Sequence, residues 1–221
     1  WSSDVCSSDL LLDVCMDTIE KMASHRLSHR GIYRWKDVVD IDFVRYLTRV
    51  IVMLDPTQRC RIIGERSDWA DLPHDKSLFF SPSGCGLPIG NLTSQLFSNV
   101  YLNVLDQYMK RELGCRHYGR YVDDFYVVSA DREWLASIVP SVKTMLRDTL
   151  HLDFHDGKLK VCSVWQGVEF LGVWLKPHRQ YATRNSVSRI SKKLCCLAAS
   201  NPDKWEASLN SYCGLLSHGQ N

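Results

Sequence analysis

No apolar run in the 221 residues approaches the roughly 18 that a membrane-spanning helix needs, and no signal peptide is evident at the start. The nine cysteines include no C-x-x-C pair, so the eight histidines, among them the spaced pairs His25/His29 and His151/His155, have no cysteine pair to complete a zinc site. A zinc module and a histidine-based metallohydrolase are therefore poor readings. The cysteines read instead as buried thiols of a reducing compartment, so a cytoplasmic location is expected. There is no internal repeat and no low-complexity segment. Neither sign of charge dominates: 27 Lys and Arg against 25 Asp and Glu leave a net charge of +2, too small to announce a polyanion binder. With 45% hydrophobic and 24% charged residues, the chain has the composition of an ordinary globular protein, long enough for one large domain or two small ones. The basic residues nevertheless cluster, at Arg59, Arg61 and Arg66, at Lys110 and Arg111, at Arg116 and Arg120, and at Arg184, Arg189, Lys192 and Lys193. Such clusters fit local phosphate contacts, although any one of them alone is more simply a solvated face.

Residues Trp1 to Leu10 match a common sequencing-library adapter translated in one frame, so the chain proper is expected to begin near Leu11. Helical spacing of Leu12, Cys15, Met16, Ile19 and Met22 predicts a first helix over 11–24, and Gly31 closes that region. A second runs over 42–54 on Phe43, Tyr46, Leu47, Val50, Ile51 and Leu54, stopped by Asp55-Pro56. Residues 59–75 read as a polar loop with one short hairpin. Pro82, Gly84, Gly86, Pro88 and Gly90 crowd nine residues, which implies an irregular backbone, either a plain surface loop or one that approaches something closely. From Asn91, a plausible N-cap, the stripe Leu92, Leu96, Phe97, Val100, Tyr101, Val104, Leu105 and Tyr108 predicts a helix ending near Gly114. A glycine-rich loop entering a helix N-terminus offers free N–H groups to a phosphate, a weak motif by itself. Asp131 opens a further helix that Pro140 should kink or divide. Residues 152–162 and 167–175 read as strands, 179–183 as a further short one, and the tail from Ser186 as a basic helix.

Between these lies Tyr121-Val122-Asp123-Asp124, inside a stretch of aromatic and β-branched residues that favours strand. Aspartate is depleted from strands, so the pair marks a tight turn between two short ones. A solvated hairpin turn is the plain alternative, and spacing alone favours it. In a cleft, however, adjacent carboxylates repel unless a cation neutralises them, and Mg²⁺ is held through one or two carboxylates plus substrate phosphates.

The order of elements resembles the palm of reverse transcriptases, whose metal-binding turn is Phe/Tyr-x-Asp-Asp. About thirty residues upstream, Ile89-Gly90-Asn91-Leu92-Thr93-Ser94-Gln95 is similar to that family's Gln-Gly-x-x-x-Ser-Pro element. Downstream, Leu152 to Lys158 fits the element that ends in lysine, and Gly167-Val168-Glu169-Phe170-Leu171-Gly172 the Leu-Gly primer grip. The string Gly86 to Gln95, with Ile89 for Gln and Gln95 for Pro, resembles the diversity-generating retroelement branch, whose enzymes copy a template RNA with frequent errors at adenines. An apolar Ile89 cannot make the hydrogen bond an amide would, which leaves base-pair geometry less tightly policed.

The resemblance implies an α+β right-hand polymerase fold and nucleotidyl transfer by two Mg²⁺ ions (Mn²⁺ as substitute), clamped roughly 3.5–4 Å apart. It makes Asp123 and Asp124 metal ligands and catalytic, and Lys158 a candidate for positioning or protonating the leaving pyrophosphate, though it could equally be a surface lysine. Gly90, Asn91, Ser94, Gln95 and Tyr121 fall to nucleotide, template or primer end, and Phe170, Leu171 and Gly172 to the primer strand. Its partners are template RNA, DNA primer or cDNA, and dNTPs, with no membrane. A small basic accessory protein usual in the subfamily is neither demanded nor excluded by the basic clusters. The expected layout is an adapter-derived 1–10, partial fingers and palm over 11–88, palm over 89–176, and a palm–thumb connection with truncated thumb over 177–221. One more aspartate, within an Asp-Ile-x-x-Phe-like strand, is missing. Asp40-Ile41-Asp42-Phe43 imitates it but runs straight into a helical stripe, so that strand is expected to precede Leu11 and this fragment to polymerise little or nothing. The alternatives are a group II intron, retron or defence-type reverse transcriptase, and a catalytically inert palm-like module that binds nucleic acid.

Overall fold

A computed structural model describes residues 7–25, 34–69, 72, 77–88, 91–200 and 202–217. The chain divides into two compact units, Trp1–Lys158 and Leu159–Asn221, and the elements are α+β: helices with small antiparallel sheets. No helix among the described residues is long and apolar enough to cross a membrane.

In the first unit, helix α1 (Ser8–Ala23) starts inside the adapter-like stretch. Ser7 caps it through Leu10 N–H at 3.3 Å, and Ser8 N–H donates to Gly84 O at 2.7 Å. It buries Leu11, Leu12 and Cys15. Helix α2 (Ile41–Val52) is capped by Asp40, whose Oδ1 accepts from Phe43 N–H at 3.0 Å. Its predicted apolar stripe faces outward: Phe43, Tyr46, Leu47, Val50, Ile51 and Leu54 are exposed, while Thr48 and Val52 are buried. The loop after it holds a single short 3₁₀ turn, Arg66–Trp69, and no hairpin among the described residues, because scattered apolar positions offer no face for a strand pair. Gly84 and Gly86 take positive φ (74° and 85°), as the breaker-rich composition implies.

Helix α3 (Leu92–Gln107) follows Asn91, which caps it by backbone geometry without a side-chain hydrogen bond. Phe97, Tyr101, Leu102 and Leu105 are buried, but Leu92 is 81% exposed and Leu96 also lies open, so the core stripe begins one turn later than the spacing predicts. A π-helical turn, Tyr108–Glu112, buries Met109 before Gly114 (φ 65°) ends the helix. Strands β1 (His117–Tyr121) and β2 (Asp124–Val128) then form an antiparallel hairpin closed by the Tyr121–Asp124 pair. Helix α4 (Arg132–Leu150), capped by Asp131, continues through Pro140 undivided. Burial of Ile138, Val142, Met145, Leu146 and Leu150 on one face outweighs the hydrogen bond that proline removes. Tyr101 Oη donates to Leu150 O at 2.6 Å inside the core, satisfying a carbonyl that the end of α4 leaves without an intrahelical partner. These side chains of α1, α3 and α4 form one core cluster, with Tyr118, Phe125, Val127, Leu152 and Phe154 packed against it.

Residues 152–162 are not a strand. They are irregular around a 3₁₀ turn, Asp156–Lys158, since Asp153, His155, Asp156 and Gly157 put turn formers where a ladder needs apolar alternation. In the second unit, β3 (Val168–Phe170), β4 (Val173–Lys176) and β5 (Arg179–Ala182) form an antiparallel meander. Helices α5 (Arg184–Ser200) and α6 (Pro202–Ser217) follow and pack on each other.

Candidate active site

The two aspartates stand where the β1–β2 hairpin reverses. Val122 and Asp123 are the two central turn residues, and Val122 takes φ 55°. A β-branched residue in the left-handed region is an outlier, costing of order 1–3 kcal/mol and kept only where its surroundings impose it. Positive φ at the first central position alone is the sign pattern of a type II′ turn, which glycine ordinarily opens.

Pairing sorts the hairpin side chains by face. Tyr118, Arg120, Phe125 and Val127 share the face toward α3 and the core, where Phe125 meets Tyr118 and Phe154 at centroid distances of 6.2 Å each. Gly119, Tyr121, Asp124 and Tyr126 share the other. A side chain at Gly119 would lie 2.6 Å from the Tyr126 ring, so glycine is what lets that ring cross the strand. Asp123, Asp124 and Tyr121 are exposed, Tyr121 at 59%.

Beneath the turn lies a polar network. Arg120 donates through Nε (2.9 Å) and Nη2 (2.7 Å) to the two carboxylate oxygens of Asp106, and Tyr118 Oη donates to Asp106 Oδ1 at 2.7 Å. The remaining nitrogen, Nη1, donates to Asn99 Oδ1 (3.0 Å) and to the carbonyl of Val122 (2.7 Å). The Arg120 side chain is 9% exposed and that of Asp106 20%. Burial alone would raise the Asp106 carboxyl, but hydrogen bonds from Arg120 and Tyr118, with the charge of Arg120, hold it below its ordinary range. Burial first, and then its bond to Asp106, pushes the Tyr118 phenol up. The Asp106 hydrogen bond raises Arg120.

The sequence-predicted residues are only partly brought together. Tyr121, Asp123 and Asp124 are adjacent on the hairpin. Asn91, Ser94 and Gln95 lie at the start of α3, and Asn99, one turn on, donates to Gln95 O at 3.0 Å while its Oδ1 accepts from Arg120. Gly90 and Ile89 lie outside the described residues. Lys158 is exposed on its 3₁₀ turn, its N–H donating to His155 O at 2.9 Å. Phe170, Leu171 and Gly172 belong to the second unit, where Leu171 (φ 53°) and Gly172 (φ 78°) form the β3–β4 turn. Ser186 Oγ donates to Gly172 O at 3.1 Å.

Asp40, which imitates the missing aspartate, is a helix cap. Among the described residues no group of three His, Cys, Asp or Glu side chains could hold a metal. Arg120, grouped in sequence with Arg116 as a phosphate-contact cluster, is instead bonded to Asp106, Asn99 and Val122 O, and Asp106, Asn99 and Tyr118 were not legible as site residues from motifs. The signal for Arg120 was its place in the period-2 set with Tyr118 on the inner face of the hairpin.

The family model described as "Reverse transcriptase (RNA-dependent DNA polymerase)" matches residues 25–175. No curated protein matches the chain. The family match spans more than half of the 221 residues and holds the whole β1–β2 hairpin together with the β3–β4 turn, so the chain belongs to the reverse transcriptase family.

Proposed function

We propose that this chain is the palm, with part of the fingers and the start of the thumb, of an enzyme that extends a DNA primer on a template RNA. The β1–β2 turn carries the proposal: two adjacent, exposed carboxylates on a hairpin anchored to the core. Their hard oxygen donors suit Mg²⁺, which takes one or two carboxylates and leaves its other positions to water and substrate phosphates. Bound there, such ions would make the primer 3′-hydroxyl a better nucleophile and offset charge building on the phosphoryl group. The 3′-hydroxyl gives its proton to solvent water, and its oxygen bonds to the α-phosphorus as the bond to pyrophosphate breaks. Lys158 Nζ would position or protonate that leaving group. Tyr121 supports the primer end, and Gly90 and Asn91 admit the nucleotide close to the backbone. Ser94 and Gln95 face template or nucleotide, and Phe170 to Gly172 hold the primer strand.

The Gly86 to Gln95 string supports assignment to an error-prone diversity-generating retroelement. In a complete enzyme, Ile89→Gln should lower misincorporation at adenines, and an unchanged error rate would sink that link. A template/variable repeat pair beside the coding sequence would support the subfamily.

The metal assignment is tested on the 221-residue chain by Mn²⁺-induced NMR relaxation. Broadening should centre on residues 121–125, be reversed by Mg²⁺, and disappear in Asp123→Asn and Asp124→Asn. Broadening that ignores both substitutions would refute it. The same chain should show little or no primer extension, because its sequence offers no Asp-Ile-x-x-Phe-like strand to bring a third carboxylate to the pair. Robust extension would overturn its assignment as a partial catalytic centre.

A further inference from the structure

We infer that Arg120 is a positioning residue that holds the strained Val122 peptide and thereby sets the relative placement of Asp123 and Asp124; the inference rests on the metal assignment above. Three features converge on it. The guanidinium spends two donors on Asp106 and the third nitrogen on Asn99 and on Val122 O, so one side chain ties α3 to the turn at both its edge and its apex. The carbonyl it grips belongs to the one turn residue whose φ, 55°, its own side chain disfavours. An arginine fork fixed at Asp106 cannot rotate away, whereas a lysine, with a single ammonium, cannot reach Asp106 and Val122 O in the same geometry. Arg120 acts through the Val122 carbonyl, immediately before the first carboxylate.

Amide hydrogen exchange in the metal-free chain reads the clamp directly. Arg120→Lys should speed exchange at Tyr121 and Asp124 by about fivefold to tenfold relative to α3 and α4 amides. Adding Val122→Asn, which accepts a left-handed φ more readily, should recover most of that loss, whereas Val122→Ala should not. General destabilisation would not be rescued by easing one backbone angle. Should Arg120→Lys fail to fold, the apolar pair Arg120→Met with Asp106→Leu keeps the interior filled and removes the grip, and the turn should still loosen.

The same variants are titrated with Mn²⁺ beside Asp123→Asn. Weakened binding in both Asp123→Asn and Arg120→Lys supports the positioning role. Weakened binding in Asp123→Asn alone, or unchanged turn exchange in the Arg120 variants, overturns it. Mn²⁺ binding indifferent to Asp123→Asn removes the metal assignment instead, and a loosened turn in Arg120→Lys would then show that the clamp serves only the hairpin.

Discussion

Asp106, Tyr118 and Arg120 make the site's support sensitive to pH at both ends. Asp106 titrates below its ordinary range when folded, so its contribution to stability is present above the unfolded pKa of about 3.9 and lost as pH falls through the folded value. Tyr118 is raised, so its contribution is present below about 10 and lost as pH climbs beyond that. Urea midpoints measured across pH should therefore show Asp106→Asn flattening the acid limb and Tyr118→Phe the alkaline limb, each also easing the opposite limb in part, because each group supplies some of the other's shift. Parallel slopes in wild type and both variants would contradict the assignment. The motif residues themselves were readable: Tyr-x-Asp-Asp stood out because aspartate is foreign to an aromatic, β-branched strand. The acid that braces them was not. Asp106 sits in an α3 stretch whose neighbours Leu102, Leu105 and Met109 are buried, and nothing local to it says that an arginine fourteen residues later will arrive.

At the scale of elements, helix spacing located α1, α3 and α4, but spacing reports amphipathicity and not what the apolar face meets. Hence the stripe of α2, clear in sequence, lies exposed, and Leu92 and Leu96 precede the part of α3 that packs. Pro140 failed to divide α4 because local propensity yielded to a buried face on either side of it. Residues 152–162 looked strand-like on isolated apolar positions, yet only Leu152 and Phe154 pack on the core cluster, and the rest follow turn chemistry. The β3–β4 turn carries its own test. Both central residues take positive φ, the type I′ arrangement that prefers Asn-Gly, yet Leu171 occupies the first position and is 49% exposed. A leucine there serves the turn poorly, which fits the primer-strand contact proposed for it. Leu171→Asn should accordingly stabilise the hairpin, by about 0.5–1 kcal/mol in thermal unfolding, while weakening primer–template binding in a complete enzyme. A loss of stability on that substitution would mean that Leu171 is held by packing.

For the whole molecule, the buried apolar side chains are distributed very unequally between the two units. Every member of the core cluster, from Leu11 to Leu150, lies in the first. Among the described residues of the second, only Gly167 and Thr183 are buried, and α5 buries none. Its stability rests on the β3–β4–β5 ladder, half-buried residues such as Trp174 and Leu194, and the packing of α5 on α6. Local opening free energy follows apolar burial, so the two units should not open together. Hydrogen exchange on the intact chain should find amides of 97–105 and 142–150 at least about 100-fold better protected than those of 184–217. Limited proteolysis should cut first between 159 and 200 and leave the first unit intact. The β1–β2 turn would then keep its geometry while the β3–β4–β5 ladder exchanges freely. Equal protection across both units would show instead that the second draws stability from contacts outside its own ladder and helix pair.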